Sequence, residues 1–290
     1  MFHTILVPLD GSPVSEQALA AAARLAHMVH STIHLVHVHH PNSLIPIVIE
    51  TLPIIDSELH SLAAEHELFY LNQIANSPVF DGITTVVTRL EGVVAESLAA
   101  HARAIHASLI VMTTHGWSGF EHFWLGSVAE ELLRLTHTPL WLMRPGEPAQ
   151  RAAQPLRRIL VPLDGSERSE QVLPHVQALA AIDDARLILA RIVTRQPRRN
   201  TTPGTDPRQE VETYLRAIAA RLEAQGVPTD IAVGNAEQPA RAVLTLSREL
   251  QVDAIALATR GQGGWQRLMV GSTADKIIRA SPIPVLVVRP

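Results

Sequence analysis

Eight consecutive residues near the amino terminus, Ile5-Leu6-Val7-Pro8-Leu9-Asp10-Gly11-Ser12, return unchanged as Ile159-Leu160-Val161-Pro162-Leu163-Asp164-Gly165-Ser166. The match carries on, with Ser15-Glu16-Gln17 answered by Ser169-Glu170-Gln171. A second block lies late in each half. There Gly116, nine residues and Gly126-Ser127 correspond to Gly261, nine residues and Gly271-Ser272. Each half also closes alike, Thr138-Pro139-Leu140-Trp141-Leu142-Met143-Arg144-Pro145 against Ser281 to Pro290. Three matched blocks in one order mean that a single folding unit is written twice. A chain of 290 residues has room for two domains of ordinary size. The proline-bearing, Gln/Ala-filled stretch Pro145 to Pro155 reads as a linker. The prediction is one domain over 1–145, a linker over 146–156 and a second domain over 157–290.

Within each half two periods alternate. Short runs rich in Val, Ile and Leu (Ile5–Leu9, Ile33–Val38, Thr85–Leu90, Leu109–Met112, Leu140–Met143) are bounded by turn residues. Between them lie longer segments with helical spacing: Ser15–Val29, Ser57–Ile74, Val93–His106 and Ser127–Leu135. Strands that read as unbroken apolar runs belong in a parallel sheet covered on both faces. Right-handed crossovers then give an α/β fold of two doubly wound domains. In such sheets ligands sit beyond the carboxyl ends of the strands, where the winding reverses. Both repeated motifs are predicted to fall there.

Composition narrows the chemistry. The net charge of −4 gives no electrostatic case for nucleic acid or for an anionic membrane surface. Of 24 basic residues only Lys276 is a lysine, so phosphate would be held without a loop lysine. With no cysteine, disulfides, thiolate catalysis and zinc–thiolate sites are excluded. The amino terminus enters a strand at once, without a basic or signal-like stretch, and no apolar helix is long enough to span a bilayer. The expectation is a soluble, cytoplasmic protein.

The glycine block has the make-up of a phosphate site. Gly116 would let the backbone turn sharply out of strand four, and Gly126 would do the same before the next helix. Ser127 opens that helix and can cap it or present its hydroxyl to a phosphate. The helix start offers unpaired N–H groups and partial positive charge. Gly261, Gly271, Ser272 and Thr273 repeat the arrangement. One helix end contributes about 0.3–2 kcal/mol, against roughly 8 kcal/mol for micromolar binding. Further amide bonds, burial of the base and a divalent ion such as Mg2+ would have to supply the rest. Asp10 and Asp164 can accept hydrogen bonds from a ribose hydroxyl, or can serve only in the turn before a helix. Val38 and Ile192 could flank the base.

These residues resemble the universal stress protein family, on the Val-Pro-Leu-Asp-Gly-Ser start, the glycine, nine-residue, Gly-Ser loop, and the two closing strands. The resemblance covers nearly the whole chain as two tandem domains. It implies Rossmann-like five-stranded parallel sheets, ATP binding as in many members, dimerisation, and a role in stress survival or metabolic regulation. The family's ATP pattern is Gly, two residues, Gly, nine residues, Gly, then Ser or Thr. Both copies depart at its first glycine, which is Thr113 in one and Ala258 in the other. Carried over, the first site would comprise Pro8, Asp10, Val38, Thr113, His115, Gly116, Gly126, Ser127 and Val128. The second would comprise Pro162, Asp164, Ile192, Ala258, Arg260, Gly261, Gly271, Ser272 and Thr273. The family's last strand pairs across a dimer. Here the halves would pair within one chain through Leu140–Arg144 and Val285–Val288, which also covers an apolar edge, and two chains would assemble further.

No nucleophile–base pair is visible, so no catalytic residue is assigned. The favoured expectation is a nucleotide-responsive regulator read by an unidentified protein partner. The alternatives are a slow ATPase or phosphotransferase using His115 and Arg260, and a scaffold without nucleotide. Fourteen of fifteen histidines lie before Pro145. In a strand, His37 and His39 would face one way and His34 and His40 the other. Two imidazoles per face make an incomplete metal site, and no metal is expected. The irregular segments Pro41–Pro53, with an apolar run from Ile45 to Ile49, and Gln196–Pro207 follow the second strand of each copy. The first could be a flap over its own core or a partner contact.

Overall fold

A computed structural model describes residues 2–40, 54–114, 125–146, 152–193, 206–259 and 271–290, with side chains of 54–60 and 207 left aside. The first half runs β1 (Thr4–Pro8), α1 (Pro13–Glu16), α2 (Ala18–Val29), β2 (Thr32–His39), α3 (Ile54–Ala75), β3 (Thr85–Glu91), α4 (Val94–Ala104), β4 (Leu109–Thr113), α5 (Ser127–Leu135) and β5 (Leu140–Met143). The second repeats it: β6 (Arg158–Pro162), α6 (Glu167–Glu170), α7 (Leu173–Asp183), β7 (Arg186–Val193), α8 (Pro207–Glu223), β8 (Thr229–Asn235), α9 (Pro239–Glu249), β9 (Ala254–Ala258), α10 (Ser272–Ala280) and β10 (Val285–Val288).

Within each half the strands are parallel, in the order β3-β2-β1-β4-β5 and its counterpart β8-β7-β6-β9-β10. This is the doubly wound Rossmann-like α/β arrangement that the apolar runs predicted. Alternate residues explain its two cores. Ile5, Val7, Ile33, Leu35, Leu109 and Val111 bury one face against α2 and α3, with α7 and α8 serving the second half. Leu6, Val36, Ile110, Met112, Leu140 and Leu142 bury the other against α4 and α5, with α9 and α10 beyond.

The two sheets are one. β5 and β10 pair antiparallel, with Leu142 opposite Val285, Trp141 opposite Leu286 and Leu140 opposite Val287, giving a sheet of ten strands. Trp141 and Leu286 are equivalent residues of the two copies, so a pseudo-twofold axis passes between them. That is the register of an isologous interface. Arg24 of α2 and Asp183 of α7 close it from one side, Nη1 to Oδ2 2.6 Å.

The helix expected over Ser15–Val29 begins earlier and is interrupted. Ser12 caps α1, with Pro13 at its first position. The Ser15 hydroxyl then donates to the Ser12 carbonyl at 2.9 Å, and Gln17 N–H reaches back three residues to Val14 O at 3.2 Å. The chain tightens there before α2 starts. Among the described residues no helix is long and apolar enough to cross a membrane.

Candidate functional site

The winding reverses between β1 and β4: β2 and β3 lie on one side of β1, β4 and β5 on the other. At the carboxyl end of β1 the Asp10-Gly11-Ser12 turn is tied by its own side chains. Oδ1 of Asp10 accepts from Ser12 N at 3.0 Å and from Ser12 Oγ at 2.6 Å. Ser12 Oγ in turn accepts from Ser15 N at 3.1 Å. The second copy repeats these contacts: Ser166 N and Oγ lie 2.9 and 2.6 Å from Asp164 Oδ1, and Ser169 N lies 3.2 Å from Ser166 Oγ. The helix cap is therefore the serine, worth about 1 kcal/mol, and the aspartate braces it. Gly11 and Gly165 have φ of +80° and +82°, a region that only glycine enters cheaply.

The adjoining β4 ends at Thr113, which with the next residue, Thr114, is buried. Thr114 N–H donates to Met143 O at 2.7 Å, and Thr114 O accepts from Gly126 N–H at 2.7 Å. The chain thus returns at Gly126 to the point where it left, the end of β4. The Gly126 amide is taken by that closure. The first intrahelical bond of α5 is Glu130 N–H to Gly126 O, 2.9 Å. The amides of Ser127, Val128 and Ala129 therefore have no intrahelical acceptor. In the second copy Thr259 N–H donates to Val288 O at 2.8 Å, and Asp275 N–H to Gly271 O at 3.0 Å opens α10. Gly126 and Gly271 are the cap residues, without side-chain caps. The exposed Ser127 and Ser272 are the first helical residues rather than caps, which corrects one of the two roles expected of them.

Across β1, β2 continues past Val36, the partner of Pro8, to Val38, which is buried towards α4. Ile192 holds the same place on β7, beyond Ala190, the partner of Pro162. Topology therefore gathers Pro8, Asp10, Val38, Thr113 and the Gly126–Val128 helix start at one edge of the sheet. It gathers Pro162, Asp164, Ile192, Ala258 and Gly271–Thr273 likewise. His115, Gly116, Arg260 and Gly261 lie outside the described residues.

The sequence profile described as "Universal stress protein family" matches residues 1–144 and again 155–289. The chain belongs to the universal stress protein family. Its similarity to a universal stress protein of Mycolicibacterium smegmatis runs end to end, 24% identical over 99% of this chain and 97% of the relative. Universal stress protein YxiE of Bacillus subtilis is 30% identical over 50% of this chain and 100% of its own length. A crystal structure of a universal stress protein from Archaeoglobus fulgidus shares the fold, with a TM-score of 0.76 at 20% identity, covering 100% of this chain and 99% of that one.

This universal stress protein pair braces its turns from a distance that spacing did not reveal. Tyr70 of α3 donates to Glu16 Oε1 at 3.0 Å, and Tyr214 of α8 donates to Glu170 Oε1 at 3.0 Å. Burial, then the neighbouring carboxylate, raises both phenols well above the ordinary tyrosine range, so each stays a donor. The repeated Ser-Glu-Gln was the one sequence signal for it.

His34, His37 and His39 divide as the strand alternation predicted, and His40 lies beyond the end of β2. His39 Nδ1 lies 2.7 Å and His37 Nε2 3.5 Å from Glu67 Oε1, while Arg89 Nε lies 2.6 Å from Glu67 Oε2. Burial opposes the charge of Glu67, but hydrogen bonds from His39 and Arg89 and the charge of the two imidazoles outweigh it. They hold the carboxyl below its ordinary value. On the other face His34 meets His101 of α4, ring centroids 6.0 Å apart. Among the described residues no group of three or more His, Asp or Glu side chains is arranged so that it could hold a metal ion.

Proposed function

We propose that the chain is an ATP-binding stress-response regulator. In this reading nucleotide occupancy shifts the conformation or assembly that a protein partner reads. Two domains, 1–145 and 157–290 joined by 146–156, each carry one site. The observation that carries the reading is the duplicated pair of motifs at the strand ends where the winding reverses. A self-braced aspartate turn follows one strand there, and a helix start with three amides that lack intrahelical acceptors follows its neighbour. Asp10 and Asp164 would accept from a ribose hydroxyl, as an acidic residue does in dinucleotide folds. The α5 and α10 amides would receive phosphate oxygens, with Ser127, Ser272 and Thr273 adding hydroxyls. Mg2+ would be held chiefly by the phosphates, as is usual for that ion. Arg279 of α10 lies 3.2 Å from Glu130 of α5, which gives the two site helices a direct contact across the pseudo-twofold axis.

Denaturing the purified full chain should release an adenine nucleotide, identified by mass and counted per chain. Titration of the emptied protein with ATP should show binding that falls at least about tenfold, or about 1.4 kcal/mol, in the Gly126→Ala, Gly271→Ala double variant. Circular dichroism would verify that this variant is folded. Unchanged ATP affinity in a folded double variant defeats the site assignment.

A further inference from the structure

The two turns share their hydrogen bonds but not their surroundings. A Cβ built on Gly11 would meet nothing within 4 Å. One built on Gly165 would lie 2.5 Å from Nη1, 2.8 Å from Cζ and 2.8 Å from Nη2 of Arg191. Near-equal distances to three guanidinium atoms mean that the planar group lies across the Gly165 backbone, on a side that is open in the first copy. Arg191 precedes Ile192 on β7, and its Cζ is 5.1 Å from the centroid of the Tyr214 ring, a cation–π contact that steadies it. Strand register makes His37 its counterpart, each following the partner of the turn's proline. His37 is occupied differently: Nδ1 lies 2.9 Å from the Leu9 carbonyl oxygen and Nε2 3.5 Å from Glu67.

Position decides which part of a nucleotide Arg191 addresses. Helix α10 follows β9, which flanks β6 on one side, whereas β7 flanks it on the other. A 5′-phosphate chain laid on the α10 amides runs away from Arg191. The guanidinium lies over Gly165 of the Asp164 turn, where the proposed reading puts the ribose. A carboxylate alone suits free ribose hydroxyls, while a nearby arginine suits a phosphate on one of them. The guanidinium fork matches phosphate in a two-point, charge-assisted contact.

We propose that Arg191 makes the second site selective for an adenine nucleotide phosphorylated on its ribose. The first site, with His37 turned to Glu67, takes the nucleotide with free ribose hydroxyls. This rests on the reading that each crevice holds a nucleotide with its aspartate at the ribose. Calorimetric titration of the full chain with 5′-AMP, ATP, adenosine 2′,5′-bisphosphate and adenosine 3′,5′-bisphosphate tests it. One equivalent per chain should bind one of the bisphosphates about tenfold more tightly than 5′-AMP. That ratio should fall to about one in Arg191→Ala and be partly kept in Arg191→Lys, with both variants checked for native unfolding curves. Equal affinities in the native chain, or a preference that survives in folded Arg191→Ala, overturns the selectivity while leaving nucleotide binding standing. Failure of all four probes to bind overturns both readings together.

Discussion

Gly126 and Gly271 occupy the same place in their copies and are glycine for different reasons. Gly126 has φ −58° and ψ 146°, a conformation open to any residue, whereas Gly271 has φ +45°. Alanine at 271 should therefore cost about 1–2 kcal/mol of stability through left-handed strain. Alanine at 126 should stay within about 0.5 kcal/mol. Urea unfolding of the two single variants measures the difference, and equal losses would contradict it. Sequence spacing treated the two glycines as one motif because a repeat carries no dihedral angle. Asp10 shows the same limit. Its residue type allowed a ribose contact or a turn role, and only coordinates showed Ser12 capping the helix with Asp10 bracing Ser12.

Element packing decides what the histidines do. Strand alternation was enough to split them between faces, but not to name their partners, because α3 and α4 approach β2 from distant parts of the chain. Burial lowers the pKa of His34, and the charge of His101 lowers it further; burial alone lowers His101. Both imidazoles also hold a buried ring nitrogen without a hydrogen-bond partner, Nδ1 in His34 and Nε2 in His101. In the unfolded chain each titrates near 6.5, so on acidification the unfolded state takes up protons first. Their contribution to stability is complete above about pH 6.5 and is lost as pH falls towards the depressed native values. The melting temperature should drop between about pH 7.5 and 5.5, and drop less in His101→Leu, where the pair is gone. Identical pH slopes for the two proteins would refute the assignment. The Tyr70–Glu16 and Tyr214–Glu170 braces belong to this scale too: each joins a long helix to a short one that precedes it by a whole strand.

Across the molecule, the pseudo-twofold axis turns a duplicated chain into the equivalent of a dimer. Pairing β5 with β10 covers two apolar edge strands that would otherwise template aggregation. The Arg24–Asp183 pair at this junction has side-chain exposures of 10% and 4%, and Asp183 Oδ2 also accepts from Leu156 N at 2.9 Å. Arg24→Met would strand a buried carboxylate and should cost about 3–5 kcal/mol. Adding Asp183→Leu should restore most of that loss, since the desolvated charge goes with it. Denaturant unfolding of the single and double variants checks this, and a single variant as stable as the parent would show that the pair contributes nothing.

Periodicity and repetition alone determined the doubly wound halves, the order and approximate place of their elements, and the edge of the sheet where both motifs lie. Those features are local, set by which face of each segment is apolar. Tertiary structure alone decided the symmetric register in which the two sheets join, that the Gly126 amide closes its own loop, and that Arg191 lies where His37 turns away. Each of these depends on atoms brought together from separated segments, and a pattern of residue types says nothing about which separated side chains will share a space.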